Sequence, residues 1–177
     1  MAHNNASPSL PARLLRHLRM TRAAARRIFP SSTLKAIQAS IGEGERRHRA
    51  QVRLIVEASL SLGAVRRGES ARQRAHELFS HYRIWDTEEN CGVLVYLNLA
   101  DRKVEIVADR GINARITREQ WQQVCRQMTS GYAQGDYEAS TLQALATLHA
   151  LLESVLPRGD NGSGKATNEL SDKPLLL

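Results

Sequence analysis

The tightest constraint on this chain is a pair of apolar runs flanking a short polar turn, between Gly92 and Asp109. In residues 92–99, Val93, Val95, Leu97 and Leu99 share one face, with Leu94 and Tyr96 on the other. Only Asn98 interrupts a strand that is apolar on both sides. Residues 100–103 form the turn. Beyond it, Val104, Ile106 and Ala108 alternate with Glu105, Val107 and Asp109. Two such runs predict an antiparallel hairpin.

A two-residue loop at Asp101 and Arg102 would set Leu99 opposite Val104, Leu94 opposite Asp109 and Gly92 opposite Gly111. Asp109 and Arg110 would then return beside Asp86, Glu88, Glu89 and Asn90. Asp101 would stand alone at the far end, roughly 20–25 Å away at about 3.3 Å of rise per residue. One end of the hairpin is therefore expected to be acidic and to contain glycine, and the other to carry a single turn aspartate.

The segment NCGVLVYLNLADRKVEIVADRGI, residues 90–112, resembles the central signature of the TPM-domain family, the thylakoid-lumen acid-phosphatase-like proteins and their bacterial relatives. The usual pattern is Asn-Gly-Val-Leu, an apolar strand, Asp-Arg, a Val-x-Ile strand and Gly-Ile. Here Cys91 is inserted between Asn90 and Gly92. The similarity extends over residues 29–157, through the helix around Trp121 and the Gly135-Asp136-Tyr137 step. Asn168-Glu169-Leu170-Ser171-Asp172 is similar to the tail of a short soluble bacterial subgroup. The resemblance implies an α/β/α sandwich, calcium binding in some members, and the phosphatase activity reported in the family.

The net charge of +7 sits at one end of the chain. Residues 1–50 hold ten Lys/Arg against two acids, and the remainder hold fifteen against sixteen. Residues 12–28 read as one helix in which Leu14, Leu15 and Leu18 lie among Arg13, Arg16, Arg19, Arg22, Arg26 and Arg27, with no acid. Such a helix packs its leucines on the domain, lies on an anionic membrane surface or docks a protein partner. An organellar transit peptide would share its composition. A nucleic-acid arm fits least, since the segment offers no stacking aromatic. No apolar run approaches the length of a membrane span, and no apolar core of a secretory signal stands near the start. The expected location is cytoplasmic, with peripheral membrane contact through this helix.

The chain reads as a basic N-terminal tail and helix (1–28), a TPM-like domain (29–157) and a flexible C-terminal tail (158–177). Residues 31–48 predict a helix and 52–58 a strand, with a loop over 60–69. A helix over 71–83 leads to the hairpin. Thr117 with Gln120 forms a capping box for the helix bearing Trp121, Val124 and Met128, and a last helix runs to Pro157. A short fourth strand is expected near Arg115 and Ile116. This order predicts an α/β/α sandwich with a small mixed sheet around the central antiparallel hairpin. Trp85 and Trp121 are expected in the core, and His149, on its apolar stripe, in the core or at its boundary. Cys91 and Cys125 are read as free thiols.

Asp86, Glu88, Glu89, Asn90 and Asp109 supply hard oxygens of the kind that bind Ca²⁺ or Mg²⁺. Arg110 and Arg83 would serve equally to neutralise an exposed acidic loop. Arg102 and Arg110 are the candidate anion-binding residues, because a guanidinium matches phosphate geometry. No nucleophile motif, P-loop or His-Glu-x-x-His is present. Two readings follow. One is a non-catalytic interaction module with a divalent cation at the acidic end. The other is a metal-dependent phosphatase with Asp86, Glu89 and Asp109 as ligands.

Overall fold

The computed structural model describes residues 9–158 and 168–177. The central hairpin pairs β2 (Gly92–Asn98) with β3 (Lys103–Ala108) antiparallel. β1 (Gln51–Glu57) runs parallel to β2, and β4 (Leu175–Leu176) runs parallel to β1 on its other side. Among the described residues the sheet is therefore four-stranded and mixed, in the order β3-β2-β1-β4.

Each face of the sheet carries its own core, as the alternation predicts. Val52, Leu54, Val56, Val93, Val95, Leu97, Val104 and Ile106 point to one side. There they meet α3 (Ser31–Glu45), α7 (Arg118–Ala133) and α8 (Tyr137–Val155). Ile55, Leu94, Tyr96 and Val107 point to the other side and pack on Ala71, Ala75 and Leu78 of α5 (Ala71–His81). Every residue of β2 is buried, which explains why it is apolar on both faces. The Thr117–Gln120 capping box is present at the start of α7.

The hairpin register differs from the expected one by two residues. Asn98 pairs with Lys103 and Val93 with Ala108, so the loop is the four-residue stretch 99–102. A two-residue hairpin loop favours positive φ at both central positions or glycine at the first. Only Arg102, at φ 54°, is left-handed here. Leu99 and Ala100 also donate their N–H groups to Glu57 and Ala58, so they continue the ladder with β1. A shift of two residues preserves the alternation, so every side chain keeps its face.

Further expectations are corrected. The helix over 12–28 is two helices, α1 (Leu10–Arg19) and α2 (Arg22–Ile28). They are broken where Met20 is extended and Thr21 caps α2 by accepting from Ala24 N–H. The loop over 60–69 contains α4 (Leu62–Arg66), whose N–H of Ala64 donates to the Ser61 hydroxyl. Arg115 and Ile116 form a turn after α6 (Arg110–Asn113). The fourth strand comes instead from residues 168–177, which are placed on the sheet. Gln51 Oε1 accepts from Glu169 and Leu170 N–H, and Leu170, Leu175 and Leu177 pack on the α5 side. The linker predicted over 158–167 falls, beyond Arg158, outside the described residues. Trp85 is exposed, whereas Trp121 packs against the core.

Candidate functional site

At the acidic end, the chain enters β2 through a tight loop. Asn90 adopts a left-handed conformation (φ 52°), and Thr87 Oγ1 accepts from Cys91 N–H at 2.9 Å. Asp109 follows β3, donates its own N–H to Gly92 and caps α6 by accepting from Arg110 N–H at 2.6 Å through Oδ1. A Cβ at Gly111 would lie 2.8 Å from the Asn90 carbonyl oxygen and 3.3 Å from that of Glu89. The loop and the return strand are thus in close contact, and only glycine fits at 111.

The side chains there are disposed less tightly than the backbone. Asp86, Glu88, Glu89 and Asn90 are exposed, as is Arg110. Glu89 pairs with Arg49 at 2.6 Å, and Glu88 N–H donates to Glu169 at 2.8 Å. Among the described residues, no three His, Cys, Asp or Glu side chains converge on a common point. Asp109 is the exception to the exposure: it is 8% exposed, and its Oδ2 is buried without a hydrogen-bond partner. An orphaned carboxylate oxygen is costly unless a donor or cation satisfies it. Asp109 Oδ2 and the Glu89 and Asn90 carbonyls are hard oxygens, which suits Ca²⁺ or Mg²⁺.

The opposite end of the hairpin holds a polar network that the sequence reading did not find. Asp101, expected to stand alone, accepts from Arg13 Nε at 2.9 Å and Nη2 at 2.7 Å. His17 Nδ1 accepts from Leu60 N–H at 3.0 Å, which leaves the ring proton on Nε2, 3.1 Å from Asp101 Oδ1. That contact has ion-pair distance but not the alignment of a good hydrogen bond. Burial acts to raise the Asp101 carboxyl, yet Arg13 and His17 outweigh it and hold it below the usual carboxylate range.

The network continues across the sheet. Asn98 Oδ1 accepts from Asp101 N–H, and Asn98 Nδ2 donates to the Tyr96 hydroxyl at 3.0 Å. Tyr96 donates to Glu57 Oε2 at 2.6 Å, and Arg74 closes on Glu57 through Nε and Nη2, the latter at 2.8 Å. Burial first, and the nearby Glu57 second, push the Tyr96 phenol well above its ordinary range. The available signal was Asn98, the one polar residue breaking an apolar strand. The remaining members of the network lie on α1, β1 and α5, where no local pattern reveals them.

A second buried group lies under α3. His48 Nε2 and His149 Nδ1 are 2.8 Å apart, with the rings stacked at 5.1 Å between centroids. Burial pushes His48 down to about 4. Burial, reinforced by the neighbouring His48, pushes His149 down to about 3. His149 is thus the core histidine its apolar stripe predicted. Cys91 and Cys125 are free. Arg102 and Arg110 lie at opposite ends of the hairpin.

The TPM domain profile matches residues 24–151. The NMR structure of the BA42 protein from the psychrophilic bacterium Bizionia argentinensis is similar in fold. Its TM-score is 0.71 at 19% identity, covering 83% of this chain and 94% of that one. No curated protein matches the chain.

Proposed function

Since this chain belongs to the TPM-domain family, we propose that it is a non-catalytic interaction module that takes a divalent cation at the acidic end of its hairpin. The observation that carries this reading is Asp109 Oδ2, buried and unpartnered beside a loop rich in exposed acids. Calcium or magnesium would be held by Asp109 and the Glu89 and Asn90 carbonyls, with Asp86, Glu88 and the Asn90 amide as outer oxygens. The cation would supply the positive charge that this end otherwise draws from Arg49 on Glu89.

The titratable groups are occupied with one another, which supports a non-catalytic role. Arg74 and Tyr96 engage Glu57, Arg13 engages Asp101, and the Leu60 N–H occupies the basic nitrogen of His17. These groups hold elements together. In the metal-dependent phosphatase reading Arg110 would hold the phosphate, and Arg102 cannot assist it. The two arginines stand roughly 20 Å apart, at about 3.3 Å per residue along β2.

The contact surface we assign is α1, where Leu10, Leu15 and Leu18 are 48%, 45% and 59% exposed beside Arg19 and Arg22. Apolar side chains among arginines suit an anionic membrane surface or an acidic protein partner. Among the described residues, no helix is long and apolar enough to cross a membrane.

Calcium and magnesium titrations of the full chain, read by calorimetry and melting temperature, test the cation site. Asp109→Asn retains an N-cap side chain, so the variant should fold yet lose the cation-dependent rise in melting temperature. An equal rise in the variant would reject the site. Hydrolysis of p-nitrophenyl phosphate that depends on Asp109 and the cation would favour the phosphatase.

A further inference from the structure

A cavity of about 290 Å³ opens between the hairpin turn, the end of α7, the start of α8 and the α2 segment. Ile28, Leu97, Tyr132 and Tyr137 form an apolar and aromatic wall, and Asn98, Thr129, Arg102 and Lys103 supply a polar one. No acidic side chain lines it among the described residues. We propose that this cavity binds a small apolar carboxylate, with the hydrocarbon or aryl portion against the tyrosines and the carboxylate on Arg102 and Lys103.

Three observations support a preformed site. Tyr132 and Tyr137 stack at 4.9 Å and 26°, and Phe29 sets its edge against both, at 6.3 and 5.9 Å. The Tyr132 hydroxyl bonds Thr141 Oγ1 at 2.7 Å, which fixes the ring. α7 and α8 approach so closely that a Cβ at Gly131 would meet Ser140 at 2.2 Å, and Gly135 (φ 82°) makes the reversal between them. The aromatic wall is therefore built by packing that exists without a ligand.

The charge at the mouth points to the class of ligand. Asp101, adjacent to Arg102, is engaged by Arg13 and His17, so it does not neutralise the turn's cations. A guanidinium beside an aromatic wall favours a planar anion carried on an apolar body. The volume is at the lower limit of ligand pockets, which are commonly about 300–1,000 Å³. An aryl or medium-chain carboxylate fits that limit. The cavity is at the opposite end of the hairpin from Asp109 and does not depend on the cation reading.

The test is an amide-resolved NMR titration of the full chain with 2-naphthoate, and with 2-naphthamide as a neutral control, in EDTA. Naphthoate should shift residues 97–103 and 129–137 and bind at least tenfold more tightly than the amide. Asn is well tolerated in the left-handed region, so Arg102→Asn combined with Lys103→Gln should fold and lose at least tenfold in affinity. Ala133→Trp, which fills the cavity, should abolish binding, whereas Asp109→Asn should leave it unchanged. Equal binding of acid and amide would overturn the proposal. So would undiminished binding by Ala133→Trp, or shifts confined to other surfaces.

Discussion

Arg13 holds Asp101 by two hydrogen bonds, Nε to Oδ1 at 2.9 Å and Nη2 to Oδ2 at 2.7 Å, across 88 residues of chain. Arg13 Nη2 also donates to the Glu69 carbonyl at 2.6 Å, and Leu14 packs beside Leu60, Ala64 and Val65. α1 is therefore fastened to the hairpin turn and to α4 by one face, and its exposed leucines lie on another.

That attachment predicts the effect of removing α1. Deleting residues 1–20 should lower the melting temperature by several degrees, because Asp101 loses Arg13 and His17, and Leu60, Ala64 and Val65 lose the cover of Leu14. Asp101→Ala should cost about 2 kcal/mol, since it leaves Arg13 Nε and the buried His17 Nε2 without an acceptor, Arg13 Nη2 keeping the Glu69 carbonyl. Arg13→Ala should cost less, because His17 and Arg16 remain near the carboxylate. Thermal unfolding by circular dichroism measures all three. An unchanged melting temperature on truncation would make α1 a detachable arm.

The Glu57–Arg74 pair makes a second prediction. Arg74→Leu strands a buried carboxylate and should destabilise the fold by about 3 kcal/mol, at the lower limit for breaking a buried ion pair because Arg74 is part-exposed. Tyr96→Phe should cost about 1 kcal/mol. Adding Glu57→Gln to Arg74→Leu should recover part of the loss, which urea unfolding would show as non-additivity.

Gly44 is predicted to be irreplaceable while His149 is present. A Cβ there would lie 2.2 Å from the imidazole ring. Gly44→Ala should lower the melting temperature sharply, even though alanine is the better helix former by about 1 kcal/mol. Combined with His149→Ala, the same change should cost much less than the two single effects added together.

The buried titratable groups give stability a pH dependence of opposing signs. His48 and His149, at about 4 and about 3 in the fold, release protons that the unfolded chain binds up to its ordinary 6.5. Their contribution is full above 6.5 and is lost as pH falls through the window down to about 3. Glu45 is raised by burial from 4.5 to about 8, despite the Val52 N–H it accepts at 2.6 Å. The fold retains a proton there that the unfolded chain releases, so this contribution falls as pH rises from about 4.5 to about 8. Glu45→Gln should flatten the decline between pH 6.5 and 8 in urea midpoints, and His149→Leu should reduce the decline below 6.

Removing residues 168–177 should uncover the outer edge of β1 and the Ile55 side of the sheet. An unpaired strand edge promotes association. The truncated chain should melt lower and elute as larger species at high concentration. Elution as a stable monomer would mean that β4 contributes little.

Periodicity made much of this fold legible in advance. The alternation in 92–109 identified which side chains of the hairpin face each core, and β2 is buried on both sides as its composition required. Thr117 with Gln120 marked a helix start, and the stripe of α8 placed His149 inside. Each of these signals depends on near neighbours in the chain, where rise and twist fix which side chains share a face. The candidate site was legible only in part. The contact of Gly111 with the carbonyls of Glu89 and Asn90 follows from the two strands, but the outward course of the acidic side chains does not.

What tertiary structure alone decided has the opposite character. The register depended on β1, which occupies the N–H groups of Leu99 and Ala100 and so enlarges the turn. The fourth strand came from a C-terminal segment too short to carry a periodic pattern. Asp101 changed from a lone turn residue to the anchor of α1 because Arg13 and His17, one helical turn apart, meet it from more than 80 residues away in the chain. Alternation in a sequence records whether a side chain is buried. It does not record which distant group satisfies a buried charge, because that pairing is selected by desolvation and geometry once the elements have packed.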